Sequence, residues 1–287
     1  MELHQLRYLV AVVEDGSFTA AAQRLHVSQS GVSAQVAKLE HELGQRLLER
    51  GPRSLALTAA GEAVLPLARA VLEGVAEIAE VSAAYAGAVR GRVRLGMVRG
   101  CSIPPFLDAL AAFRREHPGV ELALAEDDSE VLQRHVLGGE LDLALVGWAG
   151  DVLEGLSATV VVDEPVAAVV PDGHRLAGHR TVRWRDLEGE TLLGLVRGTG
   201  VRAAVDLSGL ERPVDLEASS PETLLGLTRR GAGVALLSPS MVRGEDGVHA
   251  LVVADAEVTA TLGLVAREGR RPAATERLLD RLVQAMT

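Results

Sequence analysis

Residues 18–44, FTAAAQRLHVSQSGVSAQVAKLEHELG, decide how the N-terminal part of this 287-residue chain folds. The alanines at 20–22 permit two helices to approach closely, and a short turn follows at residues 26–28. Ser28 can cap a helix that starts at Gln29, and Gly44 is typical of the position just past a helix end. Four apolar residues recur at steps of four, three and four and predict a buried face: Val32, Val36, Leu39 and Leu43. A short helix, a tight turn and a second helix form a helix–turn–helix.

The other face of the second helix is polar, which is what a DNA-reading helix requires. Its first turn should enter the major groove. Glutamine can hydrogen-bond adenine through two atoms, serine can contact several bases, and alanine offers only a methyl group. The alternative is a helical bundle with a polar, solvated face. The residues predicted to face DNA from this helix are Gln29, Ser30, Ser33, Ala34, Gln35 and Lys38.

Two further elements follow the second helix. Short strands on either side of residues 51–54 predict a β-hairpin wing, from which Arg50 and Arg53 would reach phosphate or the minor groove. Residues 58–89 predict one long helix, which Pro66 should kink. Its apolar positions alternate by four and three, as in a coiled-coil seam, and favour a homodimer over packing on the same chain. The predicted seam residues are Val64, Ala68, Val71, Val75, Ile78, Ser82, Tyr85 and Val89.

From Gly91 onward, predicted strands and helices alternate in two similar blocks. This order is typical of α/β lobes whose parallel sheets are joined by right-handed crossovers. The sequence therefore predicts two α/β lobes. We expect the hinge between them at residues 155–162 and 264–267.

The chain resembles LysR-type transcriptional regulators over nearly its whole length. The resemblance rests on the stretch quoted above, followed by LLER and LTAAGE, all within residues 3–62. GRVRLGMV, GELDLALVG and SPETLLGLTRRGAGVALLS are similar to the effector domain of that family. Ala34 departs from the pattern, because the family commonly has a larger polar residue there.

The resemblance implies an α+β multidomain protein with a winged helix–turn–helix at residues 1–58 and a long linker helix at 59–89. A two-lobed α/β domain similar to periplasmic binding proteins would occupy 90–287, with lobe 1 at about 90–161 and 267–287 and lobe 2 at about 162–266. It further implies a homodimer or homotetramer on double-stranded operator DNA, modulated by a small organic effector. RNA polymerase would be a further partner if the regulator activates transcription.

Ligands of open α/β sheets bind beyond the carboxyl ends of the strands. Helix N-termini at Ser102, Thr199 and Ser220, with arginines nearby, favour a carboxylate or similar organic anion as the effector. Helix capping by the serines and core packing of the tryptophan are the structural alternatives. The predicted effector-binding residues are Arg99, Gly100, Cys101, Ser102, Ser129, Trp148, Arg197, Thr199, Arg202, Ser219 and Ser220.

Composition limits the other possibilities. The formal net charge is −10, but residues 1–62 hold six Lys/Arg and seven Asp/Glu, which makes the DNA-binding segment nearly neutral. Cys101 is the only cysteine, so an intramolecular disulfide is excluded and a redox role is disfavoured. That usage, together with the absence of a long apolar run or a signal sequence, predicts a cytoplasmic protein. No catalytic residues, metal ligands or cofactor are expected.

Two competing functions remain open. Residues 198–203, GTGVRA, match a dinucleotide-binding fingerprint, with Glu217 as its distal acid, and suggest an NAD-dependent enzyme. Retained NAD in purified protein would favour that enzyme, whereas an operator gel shift without NAD would favour the regulator. The second competitor is an effector-sequestering or structural oligomer, whose helix at 29–43 would bind no operator.

Overall fold

The computed structural model describes residues 1–50, 55–85, 90–210 and 212–286, apart from the side chains of Arg50, Glu77 and residues 79–85. The chain forms two compact units, Met1–Gly91 and a second that begins at Arg92. The first unit contains α1 (Leu3–Glu14), α2 (Phe18–Arg24), α3 (Gln29–Leu43), β1 (Leu48–Arg50), β2 (Leu55–Leu57) and α4 (Ala59–Tyr85).

Local signals fix the boundaries of the helix–turn–helix. The Ser17 hydroxyl accepts hydrogen bonds from the first turn of α2, and the Ser28 hydroxyl accepts one from Gly31 N at 3.1 Å. Gly44 ends α3 in the left-handed region, at φ 67°, where glycine is favoured. Val32, Val36 and Leu39 are fully buried, as predicted. Leu43 was predicted to be buried but is 39% exposed, because it lies in the last turn of α3, outside the core of the unit.

The wing is confirmed as an antiparallel hairpin, in which Leu48 pairs with Leu57 and Arg50 with Leu55. Glu40 of α3 anchors its base, since Oε1 accepts from the backbone N–H groups of Leu47 and Leu48 at 2.8 and 3.1 Å. Arg53 lies outside the described residues.

The long helix α4 continues through Pro66. Two predicted seam residues, Val64 and Ala68, instead pack against the core of their own unit, because the first turns of α4 cover α1. Ser82 and Tyr85 have no described side chains, and Val89 lies outside the described residues. Among the described side chains of α4, four large apolar ones are exposed: Leu67, Val71, Val75 and Ile78.

The second unit has two lobes, each built on one sheet. The first lobe has the strand order β4-β3-β5-β13-β6 and contains β3 (Gly91–Val98), α5 (Pro104–Glu116), β4 (Val120–Asp127), α6 (Ser129–Leu137), β5 (Leu143–Trp148), β6 (Leu156–Glu164), β13 (Ala260–Arg267) and α9 (Ala273–Met286). The second lobe has the order β10-β9-β11-β7-β12-β8 and contains β7 (Ala167–Pro171), β8 (Thr181–Val182), β9 (Leu192–Leu195), α7 (Gly200–Leu207), β10 (Leu216–Ala218), α8 (Pro221–Arg229), β11 (Val234–Leu237) and β12 (Val248–Val253).

Both sheets are mixed, so the expectation of purely parallel sheets is wrong. β3 runs parallel to β5, and β9 lies parallel between β10 and β11. In contrast, β7 is antiparallel to β11 and β12, and β13 is antiparallel to β5 and β6.

The lobe boundary also needs correction. Residues 162–164 and 260–266, which we expected in lobe 2, belong to β6 and β13 in the first sheet. Apart from Gly155, the two expected hinge segments therefore lie inside paired strands. The chain crosses between the sheets at residues 165–166 and 254–259 instead. Among the described helices, none is long and apolar enough to span a membrane.

Candidate functional site

The exposed face of α3 carries most of the predicted DNA-facing residues. Gln29, Ser30, Ala34 and Lys38 are exposed, and Ser33 is half-buried beside them. The buried face, Val32, Val36 and Leu39, packs into the core of the unit. The helix is therefore held from one side and leaves its polar first turn open.

Gln35 differs from the other predicted DNA-facing residues because its amide points toward α1. Its Oε1 accepts a hydrogen bond from Gln5 Nε2 at 3.3 Å and lies 3.1 Å from His4 Nε2. Gln5 is fully buried, and its own Oε1 accepts from the Glu2 backbone at 2.8 Å. These contacts hold the Gln35 side chain against α1, and its contact with DNA stays a prediction. The sequence analysis did not identify Gln5. Its signal was a polar residue within the apolar face of a helix.

Close backbone contacts join the two lobes of the second unit. Gly147 of β5 lies against Gly200 of α7, where an added Cβ would come within 2.7 Å of Gly200 N. Ser129 N donates a hydrogen bond to Gly198 O at 2.8 Å. An added Cβ at Gly100 would overlap the Ser219 carbonyl oxygen. We call the contacts of Gly147 with Gly200 and of Ser129 with Gly198 the interlobe bridge.

Two cavities in the second unit share Gly147 and Thr199 of the bridge region. The front compartment, about 330 Å³, lies between the loop at residues 98–104 and the segments around Ser219, Ser238 and Leu262. The rear compartment, about 840 Å³, lies between α6 and α7.

The structure divides the predicted effector residues between the two compartments. The front compartment is lined by Arg99, Gly100, Cys101, Ser102, Thr199 and Ser219. The rear compartment is lined by Ser129, Trp148, Arg197, Thr199 and Arg202. Ser220 lines neither and caps α8 by accepting from Thr223 N at 3.4 Å. Ser102 is not a helix cap, because the N-cap of α5 is Ile103 and the helix starts at Pro104.

Several of these residues have structural partners. Ser129 is buried, and its Oγ accepts from Gly147 N at 3.0 Å, which supports the bridge. Trp148 is only 8% exposed and belongs to the core of the first lobe. The Thr199 hydroxyl caps α7 and donates to Val196 O at 3.0 Å.

The three arginines do not form the expected anion site. Arg99, at the front compartment, pairs with Asp127 at 3.0 Å. Arg202 is buried between Asp206 at 2.7 Å and Glu217 at 2.5 Å. Arg197 lines the rear compartment only. Among the described residues, the front compartment therefore has no unpaired cation.

Hydroxyl groups and apolar side chains dominate the front compartment. Ser102, Ser219 and Ser238 have side-chain hydroxyls without hydrogen-bond partners among the described residues. Met241 and Leu262 add apolar surface, and Glu222 lies at the rim. The sequence reasoning missed Leu262 because β13 was placed in the wrong lobe.

Cys101 is a protonated thiol in this environment. Burial, followed by the charges of Glu222 and Glu126, raises the pKa of the Cys101 thiol to about 11. Since the thiolate is the reactive form, this environment suppresses nucleophilic and redox chemistry at Cys101.

The geometry also disfavours dinucleotide binding at residues 198–203. The first turn of α7 abuts the first lobe, and an added Cβ at Gly200 would lie 2.8 Å from Trp148 N and Thr261 O. Glu217, the distal acid of the fingerprint, is bound by Arg202. Pyrophosphate needs open access to the helix N-terminus, which the first lobe occupies here.

Comparison with known proteins agrees with this architecture. Residues 3–62 match the bacterial regulatory helix-turn-helix protein model of the lysR family, and residues 86–287 match the LysR substrate binding domain. The HTH-type regulator YnfL of Escherichia coli is 34% identical over 253 residues, covering 85% of this chain and 84% of YnfL. The DNA-binding transcriptional dual regulator OxyR of E. coli is 32% identical over 278 residues, covering 94% and 90%.

Solved structures show the same fold. A full-length OxyR variant from Pseudomonas aeruginosa, with one cysteine replaced by aspartate, has a TM-score of 0.76 at 25% identity, covering 100% of this chain and 94% of that one. Full-length CbnR in complex with its target DNA has a TM-score of 0.57 at 24% identity, covering 99% and 100%, a likeness of fold alone. The chain has the architecture of a DNA-binding transcriptional regulator with an effector-binding domain. It belongs to the LysR family.

Proposed function

We propose that α3 reads operator DNA through Gln29, Ser30, Ser33 and Ala34, while Lys38 and the wing residues Arg50 and Arg53 contact phosphate or the minor groove. The observation that carries this proposal is the exposed polar first turn of α3 on a helix whose opposite face is fully buried. Polar side chains on such a turn can reach base edges in the major groove.

Two copies of the chain pair through α4. Leu67, Val71, Val75 and Ile78 lie at steps of four, four and three and are exposed along the helix. An apolar stripe of this spacing suits a second helix packed alongside it. A dimer would present two α3 helices to two half-sites and double the few DNA-binding cations of one chain. A homotetramer would contain the same α4 dimer.

The front compartment holds a small uncharged effector. Its volume of about 330 Å³ suits a small metabolite. The free hydroxyls of Ser102, Ser219 and Ser238 supply hydrogen bonds, and Met241 and Leu262 supply apolar contacts. We propose an uncharged effector in place of the organic anion expected from the sequence, because Arg99 is already paired with Asp127 and Glu222 adds negative charge at the rim.

Both lobes line the front compartment, so an effector that binds one arrangement of the two lobes more tightly than another shifts the protein toward the first arrangement. By linkage, the change in operator affinity cannot exceed the difference between the effector's affinities for the two arrangements. If the outcome is activation, RNA polymerase is the further partner.

Genome-wide footprinting of the protein, followed by gel shifts on the recovered sites, tests the DNA-binding proposal. We expect Gln29→Ala and Ser33→Ala each to weaken operator binding by about 1–3 kcal/mol without unfolding the protein. Gln284→Ala, on the exposed side of α9, is the matched control and should leave binding unchanged. Unchanged affinity in both α3 variants would refute the placement of α3 in the groove.

A further inference from the structure

The rear compartment is a separate cavity that the proposed effector does not use. It occupies about 840 Å³ between α6 and α7, and its lining includes Gln133, Asp151 and Arg197. The interlobe bridge lies between it and the front compartment, since both cavities share Gly147 and Thr199.

Most charged side chains that line the rear compartment are neutralised by neighbours. Arg202 pairs with Asp206 at 2.7 Å, Arg134 with Glu130 at 3.8 Å, and Arg212 with Asp215 at 3.0 Å. Among the described residues of the lining, Arg197 and Asp151 are the two charged side chains without an ion pair or hydrogen bond. Both are exposed. The cavity thus offers one free cation and one free anion.

Gln133 adds a hydrogen-bond donor to these two charges. The residue is only 5% exposed, and Oε1 accepts from Leu153 N at 3.0 Å. Nε2 has no hydrogen-bond partner among the described residues and is not sealed from the cavity. Because Nε2 is unpaired and accessible from the cavity, it can donate a hydrogen bond to an acceptor on a ligand.

The three groups lie near two successive turns of α6. Ser129 N binds Gly198 O, which brings the neighbouring Arg197 to the first turn of the helix. Gln133 lies one turn later, about 6 Å along the axis. Its hydrogen bond to Leu153 brings the loop that carries Asp151 to the same turn. The cation therefore lies near the first turn of α6, and the amide donor and the anion lie near the next turn.

Apolar surface lies beside these polar groups. Leu207 of α7 is 59% exposed and Leu153 is 39% exposed, and both line the cavity. Exposed leucines next to a free cation and a free anion suit a ligand that has two opposite charges and an apolar side chain.

We propose that the rear compartment binds a free α-amino acid with an apolar side chain. Its carboxylate accepts hydrogen bonds from the Arg197 guanidinium and from Gln133 Nε2, and its ammonium group donates to the Asp151 carboxylate. Charge-assisted hydrogen bonds of this kind are the strong ones in proteins. Leu153 and Leu207 contact the side chain. This site is distinct from the effector site in the front compartment.

Thermal shift and calorimetry on the full-length protein test this proposal with L-leucine, L-methionine and L-phenylalanine as probes. We expect at least one of them to raise the melting temperature at about 10 mM. The N-acetyl derivative of the tightest-binding probe lacks the ammonium group and its amide lacks the carboxylate, so each should bind about tenfold or more weakly than the parent amino acid. If no probe shifts the melting temperature, or if either derivative binds as well as its parent amino acid, the proposal is overturned.

Three variants locate the binding site. Arg197→Gln and Asp151→Asn change exposed side chains and should fold normally, and Gln133→Glu keeps the acceptor for Leu153 N while removing the donor. Each should weaken binding of the amino acid about tenfold. Arg185→Gln, on a side chain that is 71% exposed and outside both compartments, is the matched control. Binding that survives Arg197→Gln and Asp151→Asn would place the ligand elsewhere.

Operator gel shifts on the same variants separate this proposal from the proposed function. The rear-compartment variants should retain operator binding without ligand, because the DNA-binding residues are in the first unit. Loss of amino-acid binding with intact operator binding supports the proposed site. Failure of the wild-type protein to bind any operator would refute the proposed function and leave the calorimetric result valid.

Discussion

Gly147 at the end region of β5 and Gly200 at the start of α7 meet backbone to backbone across the two lobes. An added Cβ on Gly147 would lie 2.7 Å from Gly200 N and 3.0 Å from Gly200 Cα. A side chain at position 147 would therefore force the two backbones apart. The neighbouring hydrogen bond from Ser129 N to Gly198 O, at 2.8 Å, depends on the same approach. The absence of side chains at these two positions therefore sets the spacing of the lobes.

The first prediction concerns Gly147→Ala. The new methyl group should push α7 away from β5, widen the front compartment and lower effector affinity about tenfold. Overpacking of this kind costs about 1–3 kcal/mol, which for a domain of this size lowers the melting temperature by about 2–4 °C for each kcal/mol. Effector titration by calorimetry and thermal unfolding measure the two effects.

Gly178→Ala provides the control for that change. An added Cβ at Gly178 meets nothing within 4 Å, and the position lies in the second lobe, away from the bridge. It should leave effector affinity unchanged. Equal effector affinity in Gly147→Ala and wild type would show that the bridge does not set the shape of the compartment.

A second prediction follows from the contact between Gln5 and Gln35. Gln5→Ala removes a fully buried side chain and leaves the Gln35 amide oxygen without one of its donors, so we expect a loss of about 2–3 kcal/mol of stability in the first unit. Gln35→Ala should cost less, because Gln35 is only half-buried. Thermal unfolding of the first unit measures the loss of stability in both variants.

The DNA-binding readout distinguishes positioning from base reading. If Gln35 holds α3 in place, Gln35→Ala lowers affinity for all operator sequences by a similar factor. A change in base preference at one operator position, measured by selection from a randomised site, would instead identify Gln35 as a base-reading residue.

Short-range features of the fold could be predicted from the sequence because their causes are local. Ser28 and Gly44 bound α3 through capping chemistry that acts within a few residues. The wing follows from two short apolar runs around a turn. The polar and apolar faces of α3 follow from its periodicity, apart from Leu43, which lies in the last turn of the helix but outside the core.

Long-range pairings could not be predicted in the same way. β13 lies more than a hundred residues from β5 yet pairs with it along its length, and no local signal distinguishes the first sheet from the second as its partner. The partners of the arginines at the site were equally unpredictable from local sequence. Arg202 looked available for an anion, but its carboxylate partner Glu217 is brought to it by the pairing of β10 with β9.

The third prediction concerns the apolar stripe of α4. Val75→Asp places a charge in the middle of Leu67, Val71, Val75 and Ile78, and should weaken dimerisation by at least about tenfold, since an unpaired charge at a buried interface is costly. Analytical ultracentrifugation across a concentration series measures the change.

The neighbouring Ala76 offers a matched control on the same helix. It is exposed, but lies about 100° around the helix from Val75 and away from the stripe. Ala76→Asp should leave the dimer intact. If both aspartate variants remain dimeric, the pairing surface is not the stripe on α4.

The fourth prediction concerns Cys101 and stability at alkaline pH. The folded state raises the pKa of this thiol from 9.0 to about 11, because the site is buried and faces Glu222 and Glu126. The folded thiol stays protonated while the unfolded thiol ionises above pH 9. Ionisation lowers the free energy of the unfolded state, so the free energy of unfolding falls between about pH 9 and 11. Comparison with Cys101→Ser should isolate a loss of roughly 1–2 kcal/mol over that range.

The fifth prediction concerns the response of Cys101 to hydrogen peroxide. With a pKa near 11, only about one Cys101 thiol in ten thousand is ionised at pH 7, and peroxide oxidises the thiolate. No second cysteine is present to complete a disulfide within the chain. Millimolar peroxide should therefore leave operator binding unchanged in gel shifts, and Cys101→Ser should behave like wild type. A peroxide-dependent shift that Cys101→Ser abolishes would demonstrate a redox role for this thiol despite its environment.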